Sequence, residues 1–153
     1  MLPPDEARGR LVISTDPARL DVSAVHAYLS RSYWAEGIPR EIVARALAGS
    51  LCFGLYLGDR QIGLARIITD RATYAYLCDV YVVDEFRGQG LGRWLMECVM
   101  RHPDLRGLRR FSLVTRDAHR LYAPLGFAPL KQPERHMEIA RPGYLEQGPI
   151  AQA

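Results

Sequence analysis

Three glycines fall within five residues at Gly88-Gln89-Gly90-Leu91-Gly92. Before them lies the apolar run Val80-Tyr81-Val82-Val83, and after them a periodic apolar set at Leu91, Trp94, Leu95, Cys98 and Val99. A strand that enters such a turn and leaves as a helix presents amides with no intrahelical partner, at the positive end of the helix dipole. Glycines let those N–H groups approach an anion, and the spacing suits a pyrophosphate. A nucleotide P-loop is excluded, because Gly92 is followed by Arg93-Trp94 and not by a lysine and a hydroxyl residue. A dinucleotide fingerprint counted from Gly88 fails at its sixth place, which is Arg93.

Asp79 interrupts the apolar strand Tyr76-Leu77-Cys78-Asp79-Val80-Tyr81. A carboxylate there is costly unless it is paired or used. Two readings stand: an acid–base group, or an ion pair with one of the many arginines. Strand parity puts Asp79 beside Tyr81 on one face, opposite Val80 and Val82. Glu85, Asp117, His119 and His26 are further candidate bases. Tyr33-Trp34-Ala35-Glu36 joins aromatic faces to an acid, which suits a cationic amine or a hydrophobic plug over the core. The arginines at 101, 106, 109, 110, 116 and 120 form a loose basic zone that reads as a solvated face.

Elements that position these residues alternate along the chain. A strand is expected at Arg10–Ser14, then a helix entered at Asp16-Pro17 with Leu20, Val25, Tyr28 and Leu29 at helical spacing. A second helix opens at Pro39 and stops at Gly49. A hairpin follows from Cys52–Leu57 and Gln61–Thr69, then a strand over Thr73–Val83 with a period-2 set at Tyr76, Cys78, Val80 and Val82. The Leu91 helix runs to about Pro103, and Phe111–Thr115 is a strand. Ala118–Ala123 is a short helix, and Gly126-Phe127 and His136–Ile139 read as two final strands. The expected fold is α+β: a mixed, mostly antiparallel sheet of six or seven strands flanked by four helices.

The 153 residues read as a single domain over 1–153, with an ordered core from about 9 to 140, a loose N-terminus and a polar C-terminal tail. The net charge of +3 is too small to argue for nucleic acid. Of the 20 basic residues only Lys131 is a lysine, which reads as a compositional bias toward arginine. Cys52, Cys78 and Cys98 lie in apolar runs without the spacing of a disulfide framework or a zinc site, so reduced thiols and no metal are expected. No secretory signal and no apolar run long enough to span a membrane is seen, which places the protein in the cytoplasm.

Arg87-Gly88-Gln89-Gly90-Leu91-Gly92 resembles the Arg/Gln-x-x-Gly-x-Gly/Ala signature of the GNAT superfamily of acyl-CoA-dependent N-acetyltransferases. Val80-Tyr81-Val82 matches that family's preceding strand, with Asp84 where a proline is common. Ala118-His119-Arg120-Leu121-Tyr122-Ala123-Pro124-Leu125-Gly126-Phe127 is similar to its Ala-x-x-Leu-Tyr-x-x-x-Gly-Phe signature. The resemblance implies acetyl-CoA as co-substrate. Val80, Tyr81 and Val82 would pair with its pantetheine arm, and Arg87 to Arg93 would hold its pyrophosphate. Thr115 stands where relatives often carry an asparagine that meets the same arm. The resemblance also implies Tyr122 as the acid for the leaving thiolate, and Asp79 is the favoured base candidate. It further implies an acceptor pocket bordered by Tyr33 and Trp34. The expected partner is a small-molecule or peptide amine, with no nucleic acid and no membrane, and a homodimer is left open. A non-catalytic acyl-CoA-binding regulatory module is the alternative.

Overall fold

Leu51-Cys52-Phe53-Gly54-Leu55-Tyr56-Leu57 shows no polar alternation, the pattern of a strand covered on both faces. The computed structural model, which describes residues 2–144, puts this strand (β3, Leu51–Leu57) inside a six-stranded sheet. Glu6–Arg8 (β1), Leu11–Ser14 (β2), β3, Arg60–Thr69 (β4) and Tyr74–Val82 (β5) pair antiparallel in chain order. Arg110–Leu113 (β6) then lies parallel to β5. A parallel neighbour requires a crossover, and the helix Leu91–Arg101 (α3) supplies it over one face. Its Trp94, Leu95 and Val99 pack with Leu55, Ile62 and Ile67 of the sheet. On the opposite face, Val22–Leu29 (α1) and Arg40–Ala48 (α2) bury Val25, Leu29, Val43 and Leu47 against Cys52, Leu64 and Tyr81. This mixed, mostly antiparallel α+β sheet, with helices on both faces, is the expected architecture.

Four local expectations are corrected. The first helix is two pieces. Asp16 caps only a 3₁₀ turn at Pro17–Arg19, and α1 starts afresh after Asp21, whose side chain accepts from the Ala24 N–H at 3.0 Å. The N-terminus is not loose up to residue 8. β1 pairs with β2, and Glu6 is held by Arg101 of α3 at 2.6 Å. Gly126-Phe127 and His136–Ile139 are not strands of this chain's sheet. Pro129 and Pro133 remove two ladder donors on the way, and among the described residues no strand lies beyond β6. The fourth correction is the period-2 set of β5, which breaks at Asp79. The tail beyond residue 144 lies outside the described residues. No helix among the described residues is long and apolar enough to cross a membrane.

Candidate active site

Asp79 takes φ +49°, a left-handed conformation that Asp adopts more readily than most residues. Cys78 pairs with Arg66 but Tyr81 pairs with Leu64, so β5 carries one extra residue there. This is a β-bulge, and it bends and twists the strand locally. Its first consequence is a change of face. Ala75 and Leu77 belong to the core under α3 before the bulge, whereas Val80 and Val82 pack on that side after it. Tyr81 goes to the α1–α2 side. The second consequence is a cleft. β6 pairs with β5 only from Tyr74/Arg110 to Leu77/Leu113, so among the described residues the edge of β5 beyond Leu77 has no strand beside it. The Val83 N–H donates to the Ile62 carbonyl at 2.8 Å. In an alternating ladder the Val82 amide therefore points the other way, into the cleft.

The cleft has a volume of about 1390 Å³. Val80, Val82 and Gly92 line one side, Thr115 and Tyr122 the other, and Tyr33 and Trp34 one end. Below it, Gly88 and Gly90 hold φ of +79° and +75°, and a Cβ on either would meet nothing within 4 Å. The turn is thus open space beside backbone that only glycine adopts cheaply. Gly90 precedes α3, whose first intrahelical bond is Trp94 N–H to the Gly90 carbonyl at 3.1 Å. The N–H groups of Leu91, Gly92 and Arg93 are left for a ligand. These features fit a pyrophosphate.

The flanking side chains behave differently from one another. Arg87 donates to the Val82 carbonyl at 3.2 Å and to the Tyr28 hydroxyl at 2.6 Å, and pairs with Asp84 at 3.2 Å. Arg93 turns along α3 to Glu97 at 3.2 Å. Gln89 is exposed, and the Leu91 side chain is buried in the core, so Leu91 offers only its amide. Thr115 Oγ1 accepts from the Ala118 N–H at 2.9 Å, which leaves its hydroxyl proton free to donate.

Tyr122 sits at the end of His119–Tyr122 (α4), where Pro124 converts the chain to a 3₁₀ turn. Phe127 packs edge-on against its ring at 6.0 Å. Burial, and secondarily the neighbouring Tyr33 phenol, push the Tyr122 pKa above the usual tyrosine value. Its hydroxyl is therefore a proton donor throughout the neutral range.

Asp79 is almost enclosed. One carboxylate oxygen accepts from Arg66 Nε at 2.7 Å and the other from the Trp34 indole at 2.8 Å. Of its two readings, the geometry supports the ion pair. Arg66 was the residue that sequence reasoning passed over, although a lone charge in Leu64-Ala65-Arg66-Ile67-Ile68 was a signal of the same kind as Asp79 itself. Tyr28 was also missed as a site residue; it stacks on Tyr81 at 3.8 Å and stands 6.3 Å from Trp34. Arg116 lies over the Tyr33 ring at 3.7 Å. The other candidate bases are engaged or lie apart. Glu85 pairs with Arg60, Asp117 with Arg116 at 3.6 Å, and His26 Nε2 meets the Ile38 carbonyl at 3.1 Å. His119 is exposed. Burial pushes the Cys78 thiol up to about 11, so it is not a thiolate at neutral pH.

Residues 19–127 match the model of the acetyltransferase (GNAT) family. A Gibberella zeae protein named as an acetyltransferase is 37% identical, over 78% of this chain and 80% of its own. The crystal structure of a GNAT-family protein from Xanthomonas campestris is 48% identical and superposes with a TM-score of 0.87, over 92% of this chain and 100% of its own. An acetyltransferase from Clostridium acetobutylicum, crystallised with acetyl-CoA, shares the fold at 17% identity and a TM-score of 0.63, over 85% of this chain and 96% of its own. With the bulged strand, the cleft and the glycine turn all in place, the chain belongs to the GNAT family of acetyltransferases.

Proposed function

We propose that this protein transfers an acetyl group from acetyl-CoA directly to a primary amine. The observation that carries this reading is the cleft between β5 and β6, with a glycine turn at one end and a buried, protonated phenol on its wall. Acetyl-CoA supplies the thioester when bound. The Val80–Val82 edge pairs with its pantetheine arm as an added strand would, and the amides of Gly88 to Arg93 face its pyrophosphate. The Val82 N–H lies on the cleft side, where it stabilises negative charge growing on the thioester oxygen. Tyr122 Oη gives its proton to the departing thiolate.

The acceptor enters at the end bordered by Tyr33, Trp34 and Tyr81. Asp79 holds the Trp34 indole in place and is a positioning residue. With the carboxylates of the cleft already paired, the amine loses its proton to water. Arg31 and Arg116 flank this end, so an acceptor with a carboxylate near its amine fits better than a polycation.

The test is thiol release from acetyl-CoA across a panel of amines, amino acids and peptides. Turnover is expected with at least one amine. Tyr122→Phe should lower kcat by on the order of 10²-fold while acetyl-CoA affinity stays within a few-fold. Full turnover in that variant would return Tyr122 to a packing role. Tight CoA binding without release on any acceptor would favour the regulatory-module reading.

A further inference from the structure

Charges along the cleft do not balance at its aromatic end. Asp79, Asp84, Glu85 and Asp117 line the cleft, and so do Arg31, Arg60, Arg87 and Arg116. Glu85 pairs with Arg60 and Asp84 with Arg87, both on the way into the glycine turn. Asp79 pairs with Arg66 of the neighbouring strand β4. Arg31 gives its Nε–H to the Ala27 carbonyl at 2.8 Å and pairs with no acid among the described residues. The acid beside Arg116 is Asp117 at 3.6 Å, beyond hydrogen-bond distance, and both are exposed. Arg116 is nevertheless held. Its guanidinium lies over the Tyr33 ring at 3.7 Å. Contact of this kind covers a face of the guanidinium and leaves its edge, where the N–H donors lie, for a planar anion. The Tyr33 ring stands edge-on to Trp34 at 5.2 Å, and Asp79 fixes the Trp34 indole. Tyr33 is also close enough to Tyr122 to raise its pKa. A free guanidinium edge is thus carried on a ring beside the phenol that serves as acid.

The geometry points to an α-amino acid with an apolar or aromatic side chain as the acceptor, its carboxylate on the Arg116 edge and its side chain against Trp34 and Tyr28. This deepens the acetyl-transfer reading and rests on it for the fate of the amine. A carboxylate matches the arginine fork with two parallel hydrogen bonds, which a lone hydroxyl or a carbonyl cannot. Arg31 adds a second positive charge on the same side of the site. Trp34 and Tyr28, with ring centroids 6.3 Å apart, offer apolar area for the side chain. A second cationic group, as in a polyamine, lysine or arginine, would meet two guanidiniums and no free carboxylate there. One face of Tyr33, which could have attracted such a cation, is already covered by Arg116. An acidic side chain would forfeit the aromatic contact. The carboxylate therefore sets the orientation, and the amine is left on the side of the thioester.

Binding and turnover are read separately. Calorimetry in the presence of CoA should give Kd values for L-phenylalanine and L-leucine on the order of 10-fold below those of their primary amides, which keep the shape and lose the charge. Amidation also makes the amine less basic, so reactivity alone would favour the amide. Thiol release from acetyl-CoA should nevertheless rank the acids above the amides in kcat/KM. Arg116→Gln should weaken phenylalanine by about 10-fold and leave its amide within about 2-fold, with an unchanged circular dichroism spectrum. Arg116→Lys keeps the charge without the flat fork and should recover only part of the loss. Equal affinity for acid and amide, no binding of either amino acid, an acid-to-amide ratio unchanged in Arg116→Gln, or a preference for spermidine overturns the proposal. Preferential binding of the amino acids without thiol release supports the carboxylate site and overturns acetyl transfer instead.

Discussion

A carboxylate inside a sheet persists only when its charge is answered, and at Asp79 the answer is a guanidinium and an indole. Side-chain exposure is only 15% for Arg66 and 10% for Asp79, so this pair is not a surface ion pair of negligible worth. Removing one partner leaves the other charge buried, at a cost of about 3–5 kcal/mol. Asp79→Asn should therefore lower the urea midpoint and the Tm. In the surviving fold it should raise KM for the amine through a loosened Trp34, with acetyl-CoA affinity retained. Unchanged stability with a shifted kcat pH profile would instead make Asp79 a base. Tyr122 has a separate signature. Its pKa is raised, so its proton is lost only above the usual tyrosine value of about 10. The Tyr122-dependent part of kcat should hold up to that pH and fall beyond it.

Between β4 and β5 the chain turns on one side chain. Asp70 accepts from the N–H groups of Ala72, Thr73 and Tyr74 and from the Thr73 hydroxyl. These donors hold its carboxyl far below the usual range, the Thr73 hydroxyl most strongly. A depressed acid stabilises the fold above its unfolded value, about 3.9, and the contribution is lost as pH falls through the folded one. The Tm should thus begin to fall near pH 4 and keep falling below it, and Asp70→Asn should flatten that limb in thermal melts. The turn into α3 is tested by Gly90→Val. A β-branched residue at φ +75° is strained, by about 1–2 kcal/mol, and fills the space a phosphate needs. Calorimetry should show CoA affinity largely lost while the circular dichroism spectrum is retained.

Across the whole molecule, the cleft exists because two strands part, so a ligand that spans them ties α3, β5 and β6 together. Ligand that binds only the folded state stabilises it by about 2.7 kcal/mol at 100 times its Kd. For a chain of this size that corresponds to a rise in Tm of about 5–10 °C with CoA, a shift that Gly90→Val should abolish.

The sequence by itself determined the order of the elements from β2 to α4, the glycine turn, the aromatic link and the family. Hydrophobic period, glycine and proline act within a few residues, so their effect is readable locally. It did not determine the break after Pro17–Arg19, because Asp16 and Asp21 are both competent caps and packing chose the second for α1. Nor could it show where the period slips in β5, which depends on pairing with β4, or which cation meets Asp79. The contacts of Asp79 with Arg66 and with the Trp34 indole join residues 13 and 45 positions apart. The alternating His136–Ile139 segment is the sharpest case. Its pattern specifies a strand, but whether a partner edge lies within reach depends on how the chain leaves α4, and only the tertiary structure decides that.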